Sequence, residues 1–145
     1  MTDIWVALSP APLSLAAVHD YLAGDPRHGG LAFFIGATRA EIDPELGPLA
    51  RLDYQAYESM ALGELERIAR EGQRLFGADR IAVVHRVGSV EPGQPSVVIG
   101  VACAHRAEAF DACRWLIDTL KLRVPLWKRE TFENGASRWV EPNPP

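Results

Sequence analysis

Between Val97 and Glu130 the chain reads VVIGVACAHRAEAFDACRWLIDTLKLRVPLWKRE, and this stretch leaves few folds open. Every residue from Val97 to Ala104 is apolar or small, the pattern of a strand covered on both faces. His105 and Arg106 interrupt it. Phe110, Cys113, Ile117, Leu120 and Val124 then recur at helical spacing, with Ala109, Leu116 and Leu122 alongside. That stripe predicts a helix laid on a sheet, and Pro125 cannot continue it. Cations gather at both ends: His105 and Arg106 before the helix, Lys121 and Arg123 in its last turns, Lys128 and Arg129 just beyond. A mostly apolar helix flanked by positive charge points to an anion held nearby.

The rest of the chain supplies the sheet. Asp3–Leu8 alternates as a first strand, and Ser14 is placed to cap a helix over Leu15–Leu22 that Gly24 can end. After a turn at Asp25–Gly30, the nearly all-apolar Leu31–Ile35 is expected as a central strand delivering Gly36, Ala37, Thr38 and Arg39 at its end. Ala40–Ala50 contains Asp43-Pro44 and Gly47-Pro48 and is expected as the least ordered stretch, a lid or a loose hairpin loop beside Arg39. Arg51–Tyr57 alternates as a strand. A helix capped by Ser59 is expected to run to about Phe76, with Leu62, Leu65, Ile68, Ala69 and Leu75–Phe76 inward and Gly77 as its stop. Arg80–Val87 reads as a strand with Ile81, Val83, His85 and Val87 on one face, and Glu91-Pro-Gly93 turns the chain back into the Val97 strand. Asn134-Gly135 predicts a terminal hairpin between Lys128–Glu133 and Ala136–Val140. This order of elements implies an α+β or mixed-sheet α/β sandwich. Residues 1–141 are expected as a single domain and 142–145 as a tail.

Bulk properties exclude more than they assign. With 145 residues the chain is one domain by length and has enough apolar content for a real core. Lys plus Arg is 15 against 19 Asp plus Glu, a net charge of −4, which argues against a broad nucleic-acid surface but allows a local basic pocket. The two cysteines, Cys103 and Cys113, lie in apolar patterns, so no disulfide framework is expected and a reducing, cytoplasmic setting fits. The opening MTDIWVALSP does not read as a signal peptide. No apolar run approaches the roughly 20 residues of a membrane helix. There is no GxxxxGK[ST], no strand-borne GxGxxG, no HExxH and no GxSxG. Kinase, dinucleotide, zinc-hydrolase and serine-hydrolase chemistry therefore fall behind, and neither a metal site nor a cofactor is expected.

The positive candidates are Arg39, His105, Arg106, Lys121, Lys128, Arg129 and Arg138. Arg39, His105 and Arg106 all follow strands, where α/β sheets commonly bind ligands. His105 and Arg106 also stand at a helix start, an arrangement suited to phosphate. The bland alternative is that Arg106 pairs with Glu108 or another surface acid. Lys121 and Lys128 are separated by Pro125, so their convergence depends on how the exit segment turns. If they converge, partial desolvation would lower a lysine pKa and equip it for acid–base work. If not, they are surface charges compensating the helix dipole. Leu126 and Trp127 form an apolar patch suited to a pocket wall or a subunit contact, and Trp115 and Trp139 are expected in the core.

The run Ala104-His105-Arg106, Ala109-Phe110, Lys121 and Pro125-Leu126-Trp127-Lys128-Arg129-Glu130 resembles the large, catalytic subunit of molybdopterin synthase. The resemblance extends through Arg138-Trp139-Val140-Glu141, His85-Arg86-Val87-Gly88 with Pro92-Gly93, Gly36-Ala37-Thr38-Arg39, and Tyr54 and Tyr57. It covers residues 28 to 141 in order and spacing. It implies an α/β hammerhead fold, of α+β class, with a mixed sheet, packed helices and a C-terminal hairpin. It further implies a sulfurtransferase that adds two sulfurs to cyclic pyranopterin monophosphate to form the dithiolene of molybdopterin. The sulfur would come from the thiocarboxylated C-terminus of a small ubiquitin-like subunit, within a heterotetramer built on a homodimer of large subunits. No nucleic acid, membrane or cofactor is implied. By resemblance, Lys121 and Lys128 are the active-site lysines, Arg39, His105 and Arg106 line the pterin and phosphate pocket, and Arg138 is a further basic neighbour. Ala37 and the acidic, Pro44-containing loop after Arg39 depart from the family pattern. Two other readings remain beside it: a non-catalytic scaffold for a ubiquitin-like partner, and an anion-binding regulatory domain.

Overall fold

The computed structural model describes residues 3–140; the expected tail at 142–145 lies outside them. Its centre is the strand β7 (Pro95–Cys103), apolar but for Ser96 and buried almost throughout as its composition requires. It pairs antiparallel with β5 (Arg80–Arg86) on one side and with β2 (Gly30–Ala37) on the other. β1 (Ile4–Ser9) adds in parallel to β5, closing a mixed sheet of order β1-β5-β7-β2.

Helices cover both faces of this sheet. α2 (Glu58–Phe76) and α3 (Arg106–Arg123) bury Leu65, Ile68, Leu116 and Ile117 against Ile81, Val83, Ile99 and Val101. On the other face α1 (Leu15–Leu22) lays Val18 and Leu22 on Ala82, Val84, Val98 and Ala102. The two sets of contacts alternate along β5 and β7, the period-2 pattern of a strand buried twice. Among the described residues no helix is long and apolar enough to cross a membrane.

A second sheet holds β3 (Ile42–Asp43), β4 (Gly47–Ala56), β8 (Leu126–Phe132) and β9 (Ser137–Trp139) in sequence, with the short β6 (Gly88–Val90) also paired to β4. Leu49, Leu52 and Phe132 form its small core. The terminal hairpin turns where Asn134-Gly135 directs it: Gly135 has φ 90° and the Asn134 side-chain oxygen accepts from the Ala136 N–H. The architecture is the mixed α/β arrangement with packed helices and a curled second sheet expected of a hammerhead fold.

Several local expectations are corrected. β2 is an edge strand, not a central one, and Leu31, Phe34 and Ile35 stay substantially exposed; an apolar run records that a surface is coverable, not that its own chain covers it. Residues 40–50 are not loose. Asp43 caps the Glu45 and Leu46 N–H groups, Glu41 accepts from the Leu49 N–H, and β3 pairs with β4. Tyr57, not Ser59, occupies the cap of α2, without a side-chain hydrogen bond, while Gly77 ends the helix in the left-handed region at φ 64°. Phe110, Leu122 and Leu75 point outward, and Trp139 is exposed rather than core.

Gly100 sets how closely α1 approaches the sheet. A Cβ there would collide with Leu22, and would stand 3.0 Å from a Val18 methyl and 3.2 Å from the Phe33 ring. Both helix residues are fully buried and cannot swing aside. Gly100→Ala should therefore lower stability by about 1–3 kcal/mol, the usual cost of overpacking, read as a lower urea midpoint at unchanged slope.

Candidate functional site

A cavity of about 700 Å³ opens where α3 ends, between the two sheets. The strand directions decide what lines it. β2 and β5 both run antiparallel to β7, so their C-terminal ends meet the beginning of β7: Gly36 faces Val97, and His85 faces Val97 from the other side. α3 returns antiparallel to β7 and brings its last turn to this same end. The wall is completed by Leu52 and Tyr54 of β4, and by Leu126, Lys128 and Glu130 of β8.

The convergence of the two lysines rests on a turn at Pro125. The Val124 N–H closes α3 on the Leu120 carbonyl at 3.0 Å, and the Leu126 N–H then donates back to the Val124 carbonyl at 2.8 Å. This three-residue reversal with proline at its centre starts β8 beside the helix end. Lys121 and Lys128 consequently line one cavity, together with Arg39. Lys128 stands opposite Tyr54 in the β4–β8 register and is about half buried. Burial first, and then the neighbouring Lys121 charge, pull its ammonium below the ordinary lysine range, against the opposing pull of Glu130 and Glu41. Lys121 and Arg39 are exposed at the mouth, where Arg39 pairs with Glu41 at 2.8 Å.

His105 and Arg106 do not reach this cavity within the chain. They follow β7, whose end lies at the opposite edge of the sheet from the ends of β2 and β5. Along α3 alone, Arg106 and Lys121 are about 22 Å apart. Their gathering into one pocket with Arg39, expected from their shared position after strands, is thus corrected for the single chain: strand ends on antiparallel neighbours point in opposite directions. Neither residue pairs with an acid among the described residues, so the Arg106–Glu108 pair is not formed either.

Arg138 and Arg129 also lie outside the cavity lining. Arg138 donates to Glu130 and to Asp43, both at 2.9 Å, and stacks over Phe132. It ties the β3–β4 hairpin to β8 and so fixes the loop that carries Glu41. Arg129 stacks over Trp139 and faces Asp53. The remaining cation of the α3 terminus, Arg123, is held by Glu64 and Glu71 of α2.

His85 is the site residue that sequence reasoning missed. It reads as one more inward position of an alternating strand, and only the sheet order places the end of β5 under the lysines. The ring is buried, its Nδ1–H donates to the Arg86 carbonyl at 2.7 Å, and it meets Tyr54 edge-to-face at 5.0 Å. Burial, and secondarily the Lys121 and Lys128 charges, press its pKa down to about 4. Cys103 and Cys113 are buried free thiols pushed up to about 11, which leaves them unreactive. Among the described residues no three His, Cys, Asp or Glu side chains gather as a metal site.

With this geometry established, comparison with known proteins is decisive. Residues 8–123 match the family model described as MoaE protein. The chain belongs to the MoaE family, that of the large, catalytic subunit of molybdopterin synthase. It is 42% identical over 135 residues to the molybdopterin synthase catalytic subunit of Nostoc sp., covering 92% of this chain and 80% of that one. The crystal structure of molybdopterin synthase from Staphylococcus aureus superposes with TM-score 0.84 at 27% identity, over 97% of this chain and 98% of that one. A complex of subunits 1 and 2 of molybdopterin-converting factor from Helicobacter pylori shares the fold, with TM-score 0.77 at 20% identity over 94% of this chain and 90% of that one. Membership in the MoaE family places the chain in molybdenum cofactor biosynthesis and supports a transferase role in sulfur transfer.

The depressed pKa of His85 carries a stability consequence. The unfolded chain takes up this proton near pH 6.5 and the folded protein only near pH 4, so folding loses stability as pH falls through that window. The full loss is roughly 3 kcal/mol. Urea midpoints measured from pH 7 to 4.5 should fall less steeply for His85→Phe than for the wild type.

Proposed function

We propose that this chain transfers two sulfurs from the thiocarboxylated C-terminus of a small ubiquitin-like subunit to cyclic pyranopterin monophosphate, forming the dithiolene of molybdopterin. The observation that carries the proposal is the convergence of Lys121 and half-buried Lys128 with Arg39 in one cavity, in a chain of the MoaE family. Both reactants are anions, and joining them requires fixed cations in a site partly withdrawn from water. Arg39 would hold phosphate. Lys128, its ammonium destabilised by burial, would give up and regain a proton more readily than an ordinary lysine. Lys121, still exposed at the mouth, would orient the incoming acyl group and stabilise negative charge on its oxygen.

The partner reading draws on the two-subunit complex named for the Helicobacter pylori relative. Tyr57 and Trp127, which meet edge-to-face at 5.6 Å, and Leu122, which lines the cavity as Trp127 does, are all exposed and offer an apolar seat for such a subunit. The setting proposed for this chemistry is the cytoplasm, where two buried, unpaired thiols persist.

A homodimer completes the assignment of the basic residues. Since His105 and Arg106 stand at the far end of α3, they would contribute to a cavity belonging to a second copy. The free β2 edge, with Leu31, Phe34 and Ile35 exposed, offers an apolar surface for pairing.

Purified protein, cyclic pyranopterin monophosphate and the thiocarboxylated carrier should yield dithiolene product detectable by mass. Lys121→Ala should reduce the yield at least a hundredfold while retaining carrier binding; near-wild-type product would remove Lys121 from its central role. Mixing Lys121→Ala with Arg106→Ala, each inactive alone, should restore up to about a quarter of the activity if every site draws on two copies, that being the share of intact sites in randomly paired dimers. No recovery on mixing would confine each site to one chain.

A further inference from the structure

We propose that the imidazole of His85 is a substrate-binding group, a neutral acceptor whose Nε2 takes a hydrogen bond from an N–H or O–H donor on the uncharged part of the substrate. The inference rests on the sulfur-transfer reading and deepens it, since it divides the cavity into an anionic end and a neutral end.

The tautomer follows from the backbone. A carbonyl can only accept, so the 2.7 Å contact with the Arg86 carbonyl places the ring proton on Nδ1 and leaves a lone pair on Nε2. Nε2 has no hydrogen-bond partner among the described residues. It is also not sealed: the buried polar atoms without partners are His28 Nδ1, Thr38 Oγ1, Arg86 Nε and Arg129 Nε, and His85 Nε2 is not among them. His85 lines the cavity, so the small part of the ring left accessible presents Nε2 to that space. The edge-to-face contact with Tyr54 holds the ring plane, and the Nδ1 bond holds its rotation.

The other side-chain acceptors in the lining are each engaged at least in part, or enclosed. Glu41 is paired with Arg39, and Glu130 with Arg138. Ser96 donates to the Gly36 carbonyl and also engages the Tyr54 hydroxyl. The Thr38 hydroxyl is sealed off. Arg39, Lys121 and Lys128 are donors only. The cavity therefore serves anions well, and His85 adds to it a neutral acceptor with no partner among the described residues. A phosphate or thiocarboxylate oxygen is repelled by the Nε2 lone pair, so those groups belong at the lysine and arginine side. A heterocyclic N–H or a hydroxyl lacking this acceptor would be desolvated without a partner, which is how a site built around one hydrogen bond discriminates. Burial, and secondarily the nearby ammonium groups, keep the ring neutral and so keep it an acceptor.

Two substitutions separate this role from a structural one. His85→Asn places an amide N–H where Nδ1 stood and nothing where Nε2 stood; His85→Gln places its amide where Nε2 stood and abandons the Arg86 bond. In the turnover assay with carrier and cyclic pyranopterin monophosphate, His85→Asn should keep carrier binding and thermal midpoint close to wild type. Its KM for the pterin should rise at least tenfold, and His85→Gln should recover part of that loss. A wild-type KM in His85→Asn, with the wild type turning over, would overturn the role of His85 alone. No turnover by wild type would remove the sulfur-transfer reading and this inference with it. The wild-type protein offers a second measurement that does not depend on a variant folding. With imidazole-¹⁵N-labelled histidine, the pyridine-type Nε2 resonance of His85 should move upfield on adding the pterin, and a resonance that stays in place at saturation would overturn the proposal.

Discussion

The antiparallel ladder on both sides of β7 is the constraint on which the rest of the molecule depends. Its direction sends β2 and β5 the opposite way, so Arg39 and His85 emerge at one edge of the sheet while His105 and Arg106 emerge at the other. Its composition, apolar on both faces, requires helices above and below, and Gly100 lets α1 close on the sheet. The helix that returns over it carries Lys121 back to the edge where the chain first left. The proline reversal then adds Lys128. A site assembled this way needs no long loop: each contributing group sits on a hydrogen-bonded element or within a residue or two of its end.

Electrostatics give the cavity its character within an acidic chain. Burial, and then the neighbouring Lys121 charge, pull the half-buried Lys128 ammonium below the ordinary lysine range. Two carboxylates, Glu41 and Glu130, moderate the accumulated charge, yet each is already engaged by an arginine. Arg138 illustrates how a basic residue close in sequence to a site can serve it indirectly. By bridging Asp43 and Glu130 it turns the acidic stretch after Arg39 into an ordered hairpin beside the cavity. The acidic, Pro44-containing loop is thereby ordered, and Glu41 stands in the cavity wall.

The elements themselves were legible because their causes are local. The β7 run, the stripe on α3, the Ser14 cap, the Gly77 stop and the Asn134-Gly135 turn each follow from spacing and residue type over a few positions, as does the break at Pro125. Lys121, Lys128 and Arg39, which the resemblance implied as site residues, line one cavity. Three things lay beyond that reach. An apolar strand such as β2 reads the same whether it is central or at an edge. A loop of prolines and acids reads as loose until a distant arginine, ninety-five residues on, pins it. A histidine in an alternating strand reads as core until its neighbours are known.

What the sequence determined by itself was the inventory of the main elements and the family, because hydrophobic periodicity and chain-breaking residues act through the immediate backbone. Only the tertiary structure decided which of those residues meet. Strand direction is a property of pairing between distant segments, and it separated His105 and Arg106 from the lysines they had seemed to join. The same pairing brought His85 to them, for the end of a strand acquires its surroundings only when its neighbours are laid beside it.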